Sequence, residues 1–172
     1  MSDFTALKIK SIIKETEKSV SIAFDIPESL ESKYPFKAGQ YITLKTKINN
    51  EEIVRSYSIC SAPRSGELKI GVKAIPNGLF SNYALNNLNQ GDELEVSPPT
   101  GRFTLDDPSS KNTLLGIAAG SGITPILSII NDVLDSNPES TFVLLYGNRS
   151  KKETMFSKEI SELQNLHSTR FF

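Results

Sequence analysis

The 172-residue sequence contains very little cysteine and histidine, with one residue of each, Cys60 and His167. A single thiol excludes an internal disulfide, a four-thiolate zinc site and an iron–sulfur cluster bound by this chain alone. One histidine leaves few routes to a histidine-based metal site or a catalytic triad. Acid–base hydrolysis is therefore a poor first hypothesis, and no metal ligand is predicted.

Surplus charge and long hydrophobic runs are also absent. The chain has 19 basic and 20 acidic residues, and neither sign forms a long run, so we expect no broad surface for nucleic acid or anionic lipid. No apolar run approaches the roughly 18 residues of a membrane-spanning helix, and the first residues lack a signal-peptide pattern. We therefore expect no nucleic-acid partner, no membrane span and a cytoplasmic location.

The chain up to about residue 105 is patterned as short β-strands. The composition, 38% hydrophobic and 23% charged, is that of a globular domain. Six runs rich in β-branched residues with alternating polarity lie at residues 5–13, 19–26, 40–48, 51–59, 68–75 and 92–99. The pair Asn49 and Asn50 suits a tight hairpin, because both residues tolerate positive φ. Six strands predict an antiparallel barrel.

The rest of the chain has the pattern of an α/β domain. Residues 106–112, DDPSSKN, are polar and rich in structure breakers, so we place the boundary there, between domains at 1–108 and 113–172. The predicted elements that follow are apolar strands at 113–120 and 141–147 and helices at 123–136 and 151–166. This order predicts a parallel sheet covered on both faces, with residues 170–172 beginning a third strand.

The segment RSYSICSAP, residues 55–63, ends the fourth run. In a strand, Arg55 and Tyr57 lie on one face, so a guanidinium and an aromatic ring project into the same space. This pair suits a ligand with a phosphate and a flat ring. Ser58 has the opposite phase and would reach that ligand through its backbone or a twist at the strand end. The alternative is an ordinary barrel strand with an outward arginine and a core tyrosine.

The segment VKAIPNGLFSNYA, residues 72–84, precedes and enters a predicted helix at 81–88. Gly78 frees the backbone, and Ser81 can cap the helix. The exposed N–H groups and the positive end of the helix dipole suit a pyrophosphate. The alternative is an ordinary capped helix that packs against the barrel.

The segment AAGSGITPI, residues 118–126, lies directly between an apolar strand and a helix. Gly120 and Gly122 would let a dinucleotide pyrophosphate approach the backbone, and Pro125 fits the first turn of the helix. The third glycine of the G-x-G-x-x-G fingerprint is missing, so a purely structural strand-to-helix turn stays open.

The segment YGNRSKK, residues 146–152, follows the next strand, where nucleotide-binding sheets contact the adenosine ribose. Arg149, Ser150, Lys151 and Lys152 offer cations and a hydroxyl that suit a 2′-phosphate, which favours NADPH over NADH. The alternative is a solvated, cationic helix start.

These motifs, together with FKAGQYITL at 36–44 and PPTGRFTL at 98–105, resemble those of the ferredoxin–NADP reductase superfamily. The resemblance covers essentially the whole chain and is strongest to the oxygenase-reductase branch. It implies a six-stranded Greek-key barrel that binds FAD, followed by a doubly wound nicotinamide-nucleotide domain. It also implies electron transfer from NADPH, or NADH, through FAD to a [2Fe–2S] ferredoxin domain or protein and on to an oxygenase of aromatic degradation.

The resemblance also implies roles for single residues. Arg55 would hold the FAD pyrophosphate. The catalytic candidates are Tyr57 against the isoalloxazine, Ser58 near the flavin N5 and Thr124 where flavin and nicotinamide meet. The remaining FAD candidates are Ile59, Val72, Lys73, Gly78, Phe80 and Ser81. The candidates for the nicotinamide nucleotide are Gly120, Gly122, Thr124, Arg149 and Ser150.

Members of that branch continue through the rest of the nucleotide domain and into a plant-type [2Fe–2S] domain. We therefore expect a fragment with an incomplete nucleotide domain that binds FAD but shows little NADPH-driven turnover. We also expect two chains to pair through a sheet edge that exposes Phe171 and Phe172. The alternatives are a non-catalytic FAD-binding fragment, a ferredoxin or flavodoxin–NADP reductase with another acceptor, and an unrelated β-barrel interaction module.

Overall fold

A computed structural model describes residues 3–172. The first part of the chain forms one antiparallel sheet of six strands: β1 (Thr5–Thr16), β2 (Ser19–Asp25), β3 (Tyr41–Ile48), β4 (Glu51–Ser58), β5 (Leu68–Lys73) and β6 (Glu93–Val96). Their order is β4-β3-β6-β1-β2-β5, so the last strand in sequence pairs between β3 and β1 in Greek-key fashion. A bridge between Ile59 and Ile70 joins the two outer strands, which closes the predicted barrel.

The hairpin between β3 and β4 has the predicted turn. Asn49 has φ of 51° and Asn50 has φ of 67°, so both central residues are in the left-handed region that asparagine tolerates. The turn pairs Ile48 with Glu51 and, further along the strands, Leu44 with Arg55. The hairpin thereby fixes which side chains of β4 share a face with the barrel core.

Helix α1 (Leu79–Asn86) follows β5 and begins two residues earlier than predicted. Gly78 occupies the N-cap position, so the prediction that Ser81 caps the helix is wrong. The Ser81 hydroxyl lies in the first turn, where it accepts from the Ile75 N–H at 3.3 Å and donates to the Gly78 carbonyl at 3.4 Å. Ser81 therefore fastens the preceding loop to the helix.

The second part of the chain is a parallel α/β unit. It consists of β7 (Thr113–Ala119), α2 (Ile123–Ser136), β8 (Thr141–Gly147) and α3 (Ser157–Leu166), and β7 pairs with β8 in parallel. Phe171 forms a parallel bridge with Phe142 on the far side of β8, where a third strand was predicted. Phe171 is buried, with its ring 6.4 Å from that of Phe142, so the expectation that it is exposed is wrong. Phe172 is exposed.

The single helix predicted over residues 151–166 is wrong, because the chain breaks between a 3-10 turn at Lys151–Glu153 and α3. Phe156 has φ of 57° and is buried together with Met155. Both side chains lie against Gly71 of β5, where a Cβ atom would be 3.0 Å from Phe156 Cζ and 3.1 Å from Met155 Cε. Packing against the barrel thus outweighs the local helix propensity.

The small parallel sheet is covered on one face only, so the prediction of two covered faces does not hold for this chain. Helix α2 packs on one side, where a Cβ atom at Gly116 would be 3.1 Å from Ile126 Cγ2. The opposite face exposes Leu115, Ile117 and Leu145, at 60%, 70% and 54% of their surface. Within residues 3–172, no helix is long and apolar enough to span a bilayer.

Helix α2 packs directly against the barrel. The hydrophobic core around α2 includes Ala38 and Cys60, which precede β3 and follow β4. At the same junction, the buried Ser128 hydroxyl of α2 donates to the Ser61 carbonyl at 2.6 Å. This packing brings the carboxyl ends of β7 and β8 close to the end of β5.

Candidate cofactor sites

Arg55 and Tyr57 share one face of β4, as strand alternation predicts. Their partners on β3 are Leu44 and Ile42, both fully buried, so the two side chains lie on the side of the barrel core but at its open edge. Arg55 is exposed and donates only to the neighbouring Val54 carbonyl, at 2.7 Å. It forms no ion pair within residues 3–172, which leaves the guanidinium available to an anion.

Tyr57 is held against helix α1. Its ring centroid is 5.4 Å from that of Phe80, with the planes tilted by 38°. Burial raises the pKa of Tyr57 to about 12, although the charge of Arg55 opposes the shift. The hydroxyl therefore stays protonated at neutral pH, and the half-buried ring offers a flat, neutral surface beside a cation.

The next candidates along β4 and β5 differ in how accessible their side chains are. Ser58 ends β4, is half-buried, and its hydroxyl has no protein partner in the described chain. Ile59 and Val72 are buried in the barrel core, at 0% and 1% exposure. A contact from either to a cofactor would have to come from its main chain.

The first turn of α1 has backbone N–H groups that are not used in the hydrogen bonds of the described residues. The N–H groups of Leu79, Phe80 and Ser81 have no acceptor within residues 3–172, and the helix dipole points its positive end in the same direction. A side chain at Gly78 would collide with the Ser81 hydroxyl and lie 2.7 Å from Ile75 Cγ1. Glycine is therefore required where the backbone must stay accessible.

A groove of about 430 Å³ runs from this helix end to the β3–β4 hairpin. Its polar lining consists mainly of amides and one cation: Lys47, Asn49, Asn77, Asn82, Asn86 and Asn87. An anionic diphosphate with its attached sugar fits these donors, because they supply hydrogen bonds and positive charge without a competing carboxylate.

The glycine loop between β7 and α2 forms a 3-10 turn at Gly120–Gly122. Gly120 has φ of 51°, which explains glycine at that position. The Tyr146 hydroxyl of β8 donates to the Gly120 carbonyl at 2.8 Å and so fixes the loop. A Cβ atom at Gly122 would meet nothing within 4 Å, so that glycine faces open space.

Thr124 lies at the junction of the two units. It is buried, its hydroxyl donates to the Ser121 carbonyl at 3.0 Å, and its methyl would be 2.7 Å from a Cβ atom at Gly71 of β5. The side chain therefore packs α2 onto the strand that carries Val72 and Lys73.

A cleft of about 840 Å³ separates the end of β5 from the carboxyl ends of β7 and β8. It is within the size range of small-molecule and cofactor sites. Its polar and glycine lining includes Lys73, Gly120, Ser121, Asn148, Arg149 and Glu153. Of the predicted nucleotide candidates, the structure brings Gly120 and Arg149 to this cleft, whereas Gly122 and Ser150 lie outside its lining.

Several lining residues were not predicted from the sequence, among them Lys18, Asn148 and Glu153. Asn148 precedes Arg149 in the YGNRS motif, and its buried Oδ1 has no donor within residues 3–172. This orphaned acceptor suits a nucleotide hydroxyl or amide. Lys18 and Glu153 form an ion pair at 3.1 Å. They are 135 residues apart, so no local pattern could have joined them.

The lone cysteine is a buried residue of the hydrophobic core. Cys60 is fully buried, its N–H donates to the Lys69 carbonyl at 2.8 Å, and burial raises the pKa of its thiol. Within residues 3–172, no three His, Cys, Asp or Glu side chains are grouped so that they could hold a metal ion.

Two family models match the chain. The family described as "Oxidoreductase FAD-binding domain" matches residues 6–105, which contain the barrel except for Thr5, the first residue of β1. The chain belongs to the ferredoxin–NADP reductase family of flavin-dependent oxidoreductases. A second model, "Oxidoreductase NAD-binding domain", matches residues 117–172. The cleft of this reductase-family chain therefore lies between an FAD-binding and an NAD-binding domain.

Named relatives agree with this assignment. A component of the 1,2-phenylacetyl-CoA epoxidase from Escherichia coli is 41% identical over 99% of this chain and 48% of that protein. The ferredoxin reductase component of 3-ketosteroid-9-alpha-monooxygenase from Rhodococcus rhodochrous is 34% identical over 95% of this chain and 46% of that protein. The chain thus spans about half the length of these relatives. The motif resemblance to the oxygenase-reductase branch of the ferredoxin–NADP reductase superfamily is confirmed.

A solved structure supports the fold. The ferredoxin–NADP⁺ reductase from Neisseria gonorrhoeae, solved with bound FAD and NADP, superposes with a TM-score of 0.79 at 27% identity. The match covers 99% of this chain and 67% of that one. The predicted architecture, a barrel followed by a parallel α/β unit, is confirmed.

Proposed function

We propose that this chain is the reductase module of an oxygenase system, binding FAD along the barrel and NADPH in the cleft. The observation that carries the proposal is the position of α1 between the barrel strand β4 and the two cavities. Its Phe80 ring packs against Tyr57 of β4, and its Asn82 lines both the polar groove and the cleft that holds the Gly120 loop. When bound, the flavin supplies the capacity to accept a hydride equivalent and release electrons singly.

On the barrel side, Arg55 binds the FAD diphosphate, and Tyr57 packs against the flat ring system. Support comes from the unpaired guanidinium and from the open donors of α1. Ser58 lies next to Tyr57 with a hydroxyl that has no protein partner, which supports a contact to the same ring system. Thr124 positions the glycine loop against β5 rather than exposing its own hydroxyl.

On the α/β side, the Gly120 loop approaches the nucleotide diphosphate, and Asn148 accepts a hydrogen bond from it. Arg149 at the cleft rim, with Ser150 beside it, binds a 2′-phosphate, so NADPH is preferred over NADH. The support is the cation at a position where an NAD-specific site would carry an acid.

The electron acceptor is a [2Fe–2S] ferredoxin domain or protein, which passes electrons to an oxygenase in phenylacetyl-CoA degradation. The names of the two relatives support this assignment. We further propose domains at 1–108 and 113–172, a cytoplasmic location, and pairing of two chains through the sheet edge at Phe172. Light scattering tests the pairing, and a strictly monomeric mass at high concentration contradicts it.

The decisive experiment separates binding from turnover. The purified chain is titrated with FAD, followed by flavin fluorescence, and the FAD-loaded chain is then titrated with NADP⁺ by calorimetry. We expect one saturable site for each. A colourless protein that does not take up FAD contradicts the proposal. FAD binding without NADP⁺ binding would support only the FAD-binding part of the proposal and contradict the nucleotide site in the cleft.

A further inference from the structure

Two lysines of the barrel and one glutamate of the α/β unit form an ion-pair network at the cleft. Lys18 lies in the turn between β1 and β2, and Lys73 ends β5. Glu153 follows β8 and forms an ion pair with both: Oε1 accepts a hydrogen bond from Lys18 Nζ at 3.1 Å, and Oε2 lies 3.7 Å from Lys73 Nζ. All three residues line the cleft. The network therefore spans the space where a nucleotide would bind.

Positive charge dominates this cleft. Its charged lining residues are Lys18, Lys73, Arg149 and Glu153, three cations and one carboxylate. The hydrogen bond and the charge of Lys18 are the main causes that lower the pKa of Glu153. Burial opposes this shift, and the charges of Lys73 and Arg149 lower the pKa by smaller amounts. Glu153 is therefore ionised at neutral pH and is the only carboxylate among the lining residues.

Lys73 also stands beside the glycine loop. A Cβ atom at Gly120 would be 3.8 Å from Lys73 Nζ. A phosphate drawn to the backbone of this loop would lie within reach of the same ammonium group that now faces Glu153. Since the Lys73 to Glu153 distance of 3.7 Å is long for a charge-assisted hydrogen bond, this contact is the weaker one and the first to exchange.

We propose that Glu153 is a displaceable counter-ion, which holds Lys18 and Lys73 at the cleft until a nucleotide phosphate replaces its carboxylate. Glu153 is a positioning residue, and Lys18 becomes a phosphate-binding residue of the barrel. The inference rests on the proposed function, because the displacing anion is the phosphate of the nicotinamide nucleotide. Glu153 therefore lowers the affinity for the nucleotide, because the phosphate has to displace its carboxylate before it can bind.

The first test removes the charge and keeps the shape of the side chain. In the FAD-loaded chain, Glu153→Gln should tighten NADP⁺ binding by about twofold to fivefold at low ionic strength, the size of a partly exposed ion pair. The dissociation constant is measured by calorimetry. The gain should shrink at about 0.5 M salt, because screening weakens both the native pair and the new contacts.

The second test is a double-mutant cycle with Lys18. In the wild-type chain, Lys18→Met should weaken NADP⁺ binding only by the difference between the phosphate contact that is lost and the Glu153 pair that no longer has to be broken. In the Glu153→Gln chain, the same substitution should remove most of the gain. Additive effects of the two substitutions would overturn the exchange, because they would show that Lys18 and Glu153 act separately.

A matched control distinguishes this site from general charge effects. Glu139 precedes β8 at the opposite end of the strand and pairs with Lys111 at 3.6 Å, with both side chains exposed. Glu139→Gln should leave NADP⁺ affinity unchanged. Unchanged or weaker NADP⁺ binding by Glu153→Gln, with normal binding by the wild type, overturns the inference alone. Absence of NADP⁺ binding in the wild type and every variant overturns the proposed function together with it.

Discussion

The Tyr146 hydroxyl on β8 donates to the Gly120 carbonyl on the neighbouring loop at 2.8 Å. This bond joins the carboxyl ends of the two parallel strands at the cleft. Partial burial raises the pKa of Tyr146, so the hydroxyl remains a donor at neutral pH. The conformation of the glycine loop therefore depends on a residue of the next strand.

Removing this bond should loosen the loop. We expect Tyr146→Phe to lower the free energy of unfolding by about 1 kcal/mol, the usual net value of one hydrogen bond. NADP⁺ binding should weaken by about fivefold, because the free loop must be ordered again on binding. Urea denaturation and calorimetry measure the two effects. Tyr41→Phe is the matched control, since the Tyr41 hydroxyl has no hydrogen-bond partner within residues 3–172; an equal loss of affinity in the control would contradict the prediction.

Arg55 is predicted to be the main cationic anchor for the FAD diphosphate. Arg55→Ala should weaken FAD binding by about 2–4 kcal/mol, because it leaves a buried phosphate charge without its partner. Arg55→Lys should recover only part of this loss, because an ammonium cannot form the two-pronged contact. Fluorescence titration of FAD measures both variants.

The control for this substitution is another exposed arginine. Arg64 lies in the 3-10 turn Pro63–Ser65, where its charge acts on Asp132 of α2 instead of facing Tyr57 and α1. Arg64→Ala should leave FAD affinity within error of the wild type. Unchanged affinity in Arg55→Ala as well would remove the phosphate anchor from the proposed site.

The hydrophobic pattern and the turn residues predicted those elements that are determined by nearby residues in the sequence. The bounds of α2 and β8 agree with the prediction, because an apolar 3.6-residue period and a short apolar run are each flanked by clear breakers. The Asn49–Asn50 turn was predictable for the same reason, since two asparagines accept the positive φ that the hairpin needs.

Tertiary contacts decided what the sequence could not reveal. The break before α3 arises because Met155 and Phe156 pack on Gly71, a residue of the distant strand β5. The same holds for the site: the glycine and arginine motifs were visible locally, but the Lys18 to Glu153 pair joins residues 135 positions apart. The exposed face of β7 and β8 was also missed, because an apolar strand pattern does not reveal which neighbour covers it.

Arg149 should determine the choice of nucleotide. Arg149→Glu places a carboxylate at the cleft rim, so NADP⁺ binding should weaken by about tenfold or more while NAD⁺ binding changes little. Calorimetry with both nucleotides measures the ratio. Lys152→Glu makes the same charge change nearby but outside the cleft lining, and it should affect the ratio much less. Equal losses for NADP⁺ and NAD⁺ would contradict a 2′-phosphate contact.

The last prediction concerns the packing of α2 against the barrel. This contact holds the two sides of the cleft in a fixed position. Ser128→Ala deletes the donor of the buried 2.6 Å bond to the Ser61 carbonyl. The carbonyl is then left without a partner in a dry junction, so the free energy of unfolding should fall by about 1–3 kcal/mol. Urea denaturation followed by circular dichroism measures the loss.

Ser161→Ala separates this effect from the general removal of a serine hydroxyl. The Ser161 hydroxyl also donates to a backbone carbonyl, that of Ser157 at 2.8 Å, but it does so on the exposed surface of α3. Water replaces that bond, so the change should stay within about 0.5 kcal/mol. Because Ser128 belongs to α2 and Ser61 to the barrel, its loss should also weaken NADP⁺ binding, by making the spacing across the cleft less fixed. Equal stability of the two variants would show that apolar packing around Cys60 and α2 alone holds the junction.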